Sequence, residues 1–292
     1  MKTAAELRSG KGHLDENFPV ASWLIKARHR PAILAFYEFV RTADDVADHP
    51  ALSERDKLVL LDSLENGLLG KGAPADEAGR LRNTLIERDL SPRHAQDLLH
   101  AFRIDVSKLR YRDWEDLMNY CSYSAMPVGR FVLDIHGESR DVWPLSDQLC
   151  AALQIINHLQ DCAIDYRRLN RVYIPMSVLD HAGVSVEALG AAKASPALRR
   201  CFDQISRHVW DLLHKAQPLA MLVKDLRLSL EISVIHRLAR AHIDRLSLGD
   251  PLSEPPKLAA ASIAGLSIIG IAEGLSRRAA GRCSWQGPAL EG

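Results

Sequence analysis

Nothing in this chain of 292 residues points to a disulfide framework. Its five cysteines, at 121, 150, 162, 201 and 283, are odd in number, widely spaced and without a CxxC pair. That argues against both cystine bridging and a zinc site, and it fits a reducing cytoplasm. Net charge is missing as well: 37 Lys and Arg balance 37 Asp and Glu, so no global field draws the chain to nucleic acid or an anionic membrane. Any electrostatics must be local. There is no GxGxxG dinucleotide motif and no internal repeat of fixed period. The opening stretch MKTAAELRSGKGHLDENF lacks the apolar run of a secretory signal and reads as a flexible lead-in over 1–16. Long apolar runs are also scarce. The nearest to a membrane element is Leu258 to Ala272, 15 residues with two serines and two glycines, where a spanning helix needs about 20. It is expected to be a helix that either packs on the protein or lies on a bilayer surface, and both readings stay open here.

What is present is helical. Hydrophobic residues make up 47% of the chain, ample for one core, and no stretch alternates polar and apolar for more than a few residues. The class is therefore all-α, with one domain over 17–280 and a disordered tail over 281–292. Pro31 suits the first turn of a helix running to about Asp48, with His49 and Pro50 closing it. Ser53 and Asp56 resemble a capping box, and 67–74 breaks the helix that follows. Further helices are expected from Ser91 to about Lys108, from about Asp113 through YCSYSAMPVGRFVLDIHG with a kink or break at Pro127 and Gly129, and from Ser146 to Arg168. Beyond a turn at Gly183, three more are expected near 198–222, 227–246 and 257–278.

Two acidic runs carry the chemistry: Asp44, Asp45 and Asp48 in TADDVADHP, and Asp161 and Asp165 in QIINHLQDCAIDYRRLNRVYIP. At about 100° per residue, Tyr37, Arg41, Asp44 and Asp48 share a face about 60° wide, with Asp45 on its flank. Gln154, Asn157, Asp161 and Asp165 form a second strip about 80° wide. Leu149, Ala152, Leu153, Ile155, Ile156, Leu159, Ala163 and Ile164 cover most of the rest of that helix, the pattern of a buried element. Carboxylates so placed need cations beside them. One DDxxD alone reads better as a solvated helix end than as a metal site. Two stripes facing one another across a cavity make a site for several Mg²⁺ ions and a diphosphate, because Mg²⁺ takes a few carboxylates plus phosphate oxygens.

Arg167, Arg168 and Arg171 follow the second stripe and are candidate phosphate ligands, with Arg41 inside the first face. Their competing role is to pair with the nearby acids. Phe36, Tyr37, Tyr120, Tyr123, Met126 and Phe131 are candidates to line an apolar cavity and stabilise carbocations through their π faces, against ordinary core packing. His158 is expected to support neighbouring site residues or to pack, rather than to ligate metal. Cys121 and Cys162 have no base partner in the sequence, so nucleophilic catalysis is not supported.

The segments NFPVASWLI, AFYEFVRTADDVAD, YCSYSAMPVGR and QIINHLQDCAIDYRRLNRVYIP, in this order, resemble the squalene and phytoene synthase family over about Asn17 to Leu246. The resemblance implies an all-α isoprenoid synthase fold whose central cavity is flanked by two Asp-rich helices. Within the family, ENFPVAS, SYSAMPVGR and NHLQDCAIDYRRLNRVYIP are most similar to the bacterial branch that forms hydroxysqualene. This implies conversion of presqualene diphosphate and water to hydroxysqualene and diphosphate, a lyase step of squalene and hopanoid synthesis. It also implies two or three Mg²⁺ bound with the substrate, by Asp44, Asp45, Asp48, Asn157, Asp161 and Asp165. Arg41, Gln154, Arg167, Arg168, Arg171 and Tyr173 would contact the substrate. Tyr37, Arg41, Tyr120 and Gln154 would act in catalysis, with Tyr37, Tyr120 and Gln154 the candidates to place the attacking water.

The usual family pattern NxLRDxxED departs here at Gln160 and over Ala163–Asp165. No tyrosine occurs after Tyr173, so a C-terminal cavity tyrosine of some relatives has no counterpart. NADPH is not expected. The alternatives are head-to-head condensation of two farnesyl diphosphates by a prenyltransferase, and a non-catalytic assembly factor such as the superfamily's mitochondrial complex I factor. Partners are the lipid diphosphates and other enzymes of squalene synthesis, without nucleic acid. The location is cytoplasmic, with peripheral contact at the inner face of the cytoplasmic membrane as a further expectation.

Overall fold

A computed structural model describes residues 18, 22–72, 76–252 and 258–284, and of 281–284 the backbone only. Among them the architecture is all-α, with no strand and one isolated parallel bridge, Arg110 to Val172. The helices are α1 (Arg30–Ala47), α2 (Glu54–Leu69), α3 (Asp76–Glu87), α4 (Arg93–Ser107), α5 (Trp114–Ser124), α6 (Met126–His136) and α7 (Trp143–Leu169). Then come α8 (Met176–His181), α9 (Pro196–Ala216), α10 (Leu219–Leu222), α11 (Leu226–Leu248) and α12 (Ala260–Ser284).

Local chemistry sets most boundaries. Pro31 lies in the first turn of α1, and the Ser53 side chain accepts from the Asp56 N–H at the start of α2. Gly70 ends α2 at φ +72°, a left-handed conformation that glycine adopts without strain, so the break falls three residues after Gly67. Pro127 sits in the first turn of α6 after a break at Ala125, while Gly129 lies inside that helix. A Cβ on Gly129 would stand 2.4 Å from Ser146 Oγ and 2.5 Å from Cys150 Sγ, so α6 and α7 touch there. Three features differ from the sequence reading. The helix α3 lies between the expected break at 67–74 and the helix expected from Ser91, where no element was expected, the expected 198–222 helix is split into α9 and α10 by Pro218, and α8 follows Pro175. Pro218 lacks the N–H that a continuous helix would need.

The long helix α7 packs against α5, α6, α9 and α11, while α1 packs against α2, α3 and α4. Phe36 and Phe131 stack at 3.9 Å in the shared core, so they pack rather than line a cavity. The expected 257–278 helix begins at Ala260 and lies on α11 through a glycine face. A Cβ on Gly270 would meet Val234 Cα at 2.9 Å, which is why glycine is required at this approach. α12 ends at Ser284, inside the segment set apart as a tail, and 285–292 lie outside the described residues, as do 1–17 and 19–21. No described helix is long and apolar enough to cross a membrane.

Candidate active site

The two acidic stripes face one cavity of about 510 Å³, a size suited to a small-molecule ligand. From α1 and its C-terminal cap it takes Tyr37, Arg41, Asp44 and Asp48; from α7 it takes Gln154, Asn157, His158, Asp161 and Asp165. Tyr120 of α5 and Asp105 of α4 complete the polar end with Arg171 and Tyr173. The remaining wall is largely aliphatic, including Ile33, Val40, Val132, Leu149, Leu153 and Ile232. Tyr123, Met126, Phe36 and Phe131 are not part of it.

Arg171 reaches the cavity because α7 ends in a left-handed cap. Asn170 takes φ 51°, and the Arg171 N–H returns to the Asp165 carbonyl at 3.2 Å. Val172 N–H then bonds Leu109 O at 3.0 Å and Met176 N–H bonds Tyr111 O at 2.8 Å, tying the segment beside α4 and α5. Its guanidinium donates from Nη1 to Asp48 Oδ1 at 3.0 Å and to Tyr173 Oη at 3.2 Å, and from Nη2 to the Asp105 carbonyl at 2.9 Å. Arg167 and Arg168 precede the cap and stay outside: Arg167 donates to the Gly190 and Ala191 carbonyls, and Arg168 is exposed. Neither lines the cavity, contrary to the phosphate role expected from their spacing.

Arg41 holds Asp44 at 2.9 Å and Asp45 at 3.0 Å. Asp45 is buried against this guanidinium and is not part of the cavity wall, so its place is that of a charge partner. The acids that do line the wall are crowded. Burial, then the neighbouring Asp48, raises the Asp44 carboxyl well above its ordinary range. Burial, then Asp161, pushes Asp165 up to about 7. Carboxylates that repel one another in this way are what a hard divalent cation relieves, and with Asn157 they form an all-oxygen donor set of the Mg²⁺ kind. The residues therefore fit the metal.

Asp105 was not singled out by sequence, being a lone acid outside both motifs. It accepts from Tyr120 Oη at 2.7 Å and Tyr173 Oη at 3.3 Å, and burial raises it to about 6. Its signal was an acid within the apolar stripe of Phe102 and Val106. His158 sits beside the site residues. It lines the cavity, contacts the Gln154 amide at 3.0 Å and stacks on Tyr173 at 3.4 Å, and burial lowers it to about 3, so it is neutral. Gln160, standing where the family pattern has Arg, is buried and bonds His242 of α11 at 2.8 Å. Glu231 of α11 lines the apolar part of the cavity, accepts from Ser22 Oγ at 2.6 Å and is raised by burial to about 7. Its signal was an acid among Leu228, Ile232 and Ile235.

The sequence profile of the squalene/phytoene synthase family matches residues 12–257. The hydroxysqualene synthase of Rhodopseudomonas palustris is 59% identical over 254 residues, covering 87% of each chain. That of Sinorhizobium fredii is 50% identical over 282 residues, covering 97% of each. Among solved structures, a squalene synthase from Alicyclobacillus acidocaldarius superposes with a TM-score of 0.72 at 29% identity, over 87% of this chain and 94% of that one. A dehydrosqualene synthase, at 21% identity and a TM-score of 0.75 over 88% and 90%, shares the fold. A cavity between two acidic helices, in a chain matched over this length, identifies a member of the squalene/phytoene synthase family.

Proposed function

We propose that the chain converts presqualene diphosphate and water to hydroxysqualene and diphosphate in the presence of Mg²⁺, as a carbon–oxygen lyase. One observation carries the reading: two acid-bearing helices and two cavity arginines form the polar end of an otherwise aliphatic cavity. The names of the relatives from Rhodopseudomonas palustris and Sinorhizobium fredii support the same product.

Mg²⁺ held by Asp44, Asp48, Asn157, Asp161 and Asp165 would supply charge neutralisation for the departing diphosphate. Arg41 and Arg171 present guanidinium groups at the same end, suited to phosphate oxygens. Ionisation of the carbon–oxygen bond leaves a cyclopropylcarbinyl cation in the cavity. Tyr37 and Tyr120 line the cavity as rings that can meet that charge, while Tyr173 is stacked on His158, whose neutral ring adds no positive charge against it. The aliphatic wall keeps water away from the cation until it has rearranged. Water then adds at one carbon, placed from the polar end by Gln154, Tyr37 or Tyr120, and its proton leaves. No reductant enters this balance, so NADPH leaves the product unchanged.

The test is to give the purified chain and Mg²⁺ presqualene diphosphate and farnesyl diphosphate separately. Turnover of the first to the alcohol supports the reading. Consumption of farnesyl diphosphate alone replaces it with head-to-head condensation, and inertness to both, with biological activity kept in Asp161→Asn, replaces it with an assembly role.

A further inference from the structure

The segments that close the apolar end of the cavity have two unlike faces. Ile25, Leu219 and Leu228 point into the cavity wall. From the same three segments, Trp23 (69% exposed), Met221 (44%), Leu222 (56%) and Leu226 (45%) lie open on the outside. Hydrogen bonds join them into one corner. Arg30 Nη2 and Arg227 Nη2 both donate to the Trp23 carbonyl, at 2.7 and 2.5 Å, and Arg278 of α12 donates to the Val223 carbonyl at 2.9 Å.

Charge gathers at the same corner. Arg30, Arg227 and Arg278 are bonded to the backbone of these segments, and Lys224 is exposed within one of them. The three arginines donate to backbone carbonyls and pair with no carboxylate among the described residues. The local acids are otherwise engaged: Asp225 pairs with Lys26 at 2.7 Å, and Glu138 is buried on the Lys224 and Asp225 N–H groups. A chain of zero net charge thus carries a basic rim around an exposed tryptophan and three aliphatic residues. That combination matches the headgroup zone of a bilayer, where Trp sits at the interface and arginine or lysine meets anionic lipid.

We propose that this corner, Trp23 with Met221, Leu222 and Leu226 inside its basic rim, docks on the surface of an anionic phospholipid bilayer. The bilayer would then lie against the outer side of the same segments whose Ile25, Leu219 and Leu228 line the apolar chamber, which suits a lipid substrate and product. That purpose rests on the proposed reaction; the docking rests on the surface alone. It differs from a bilayer contact through 258–272, whose helix is seated on α11 by Gly270 and exposes Ile268.

Vesicle flotation tests it without any substrate. The full chain is expected to float with phosphatidylcholine vesicles containing phosphatidylglycerol, less with pure phosphatidylcholine, and to be released by high salt. Lys224→Glu, an exposed side chain, should lower recovery at least about fivefold. The double variant Leu222→Ser, Leu226→Ser should lower it at least about tenfold, with melting temperatures and farnesyl or presqualene diphosphate turnover in detergent unchanged from wild type. Ile268→Ser should float as wild type does. Absence of flotation by wild type overturns the proposal, as does loss of flotation in Ile268→Ser with retention in the double variant. A dimer in light scattering that the double variant abolishes would assign the corner to a second copy instead.

Discussion

Arg171 Nη1 lies 3.0 Å from Asp48 Oδ1, joining the chain just after α7 to the end of α1 across 123 residues of sequence. The bond ties the two acid-bearing helices together at the polar end of the cavity. It also pairs a motif acid with the one arginine of the three following the second acidic stripe that lines the cavity.

Arg171→Lys should therefore hurt function more than folding. A lysine keeps the charge but cannot serve Asp48, Tyr173 and the Asp105 carbonyl from one planar fork. Loss of one or two charge-assisted bonds corresponds to a drop of about 10–100-fold in kcat/KM. Steady-state kinetics check this, beside urea unfolding that should move far less than for Arg171→Met, which leaves buried acids unpaired.

Asp105→Asn tests the acid that both sequence motifs omit. The amide has one acceptor oxygen for the two tyrosine hydroxyls at 2.7 and 3.3 Å, and Arg171 Nε loses a counter-charge at 3.8 Å. A cost of about 1–3 kcal/mol is expected in urea unfolding, larger than for Tyr120→Phe, which removes one bond only.

The fold class and the two acidic stripes were legible from periodicity, whereas their facing across one cavity was implied by the family resemblance, because periodicity places residues on a helix and not one helix against another. Helix caps at Ser53 and the proline at α1 were legible for the same local reason. What could not be read is where a chain turns. Arg167, Arg168 and Arg171 look alike in sequence, and the left-handed Asn170 cap sends only the last of them into the cavity. Asp105 and Glu231 are single acids brought to the wall by tertiary packing, with no spacing motif to mark them. α3 was missed because its polar surface hides a short buried face of Ala78, Leu81 and Leu85.

Glu231 gives the chain a pH dependence with a definite sign. Its folded carboxyl titrates near 7 against an ordinary 4.5, so between those values the folded chain holds more protons than the unfolded one. Its contribution is complete below 4.5 and is lost as pH rises through about 7, at up to about 1.4 kcal/mol per pH unit. Asp165 and Asp105 act in the same direction, so the readout is the difference between wild type and Glu231→Gln. Urea midpoints measured at pH 5 and pH 8 should converge or cross in favour of the variant at the higher pH.

Gly270→Ala should loosen α12. The new Cβ would stand 2.9 Å from Val234 Cα and 3.1 Å from Ser233 O, so backbone must shift. A loss of about 1–3 kcal/mol is expected, with faster proteolysis of α12. Gly265→Ala on the same helix meets nothing within 4 Å, and should be neutral or stabilising by about 0.5–1 kcal/mol.

The most direct test of the central claim is a single turnover of presqualene diphosphate with Mg²⁺ in ¹⁸O-labelled water, read by mass spectrometry. Carbon–oxygen ionisation followed by water capture gives hydroxysqualene with the heavy isotope in its hydroxyl. Unlabelled alcohol retaining the cyclopropane, the mark of phosphorus–oxygen cleavage, or no reaction of this substrate would contradict the account.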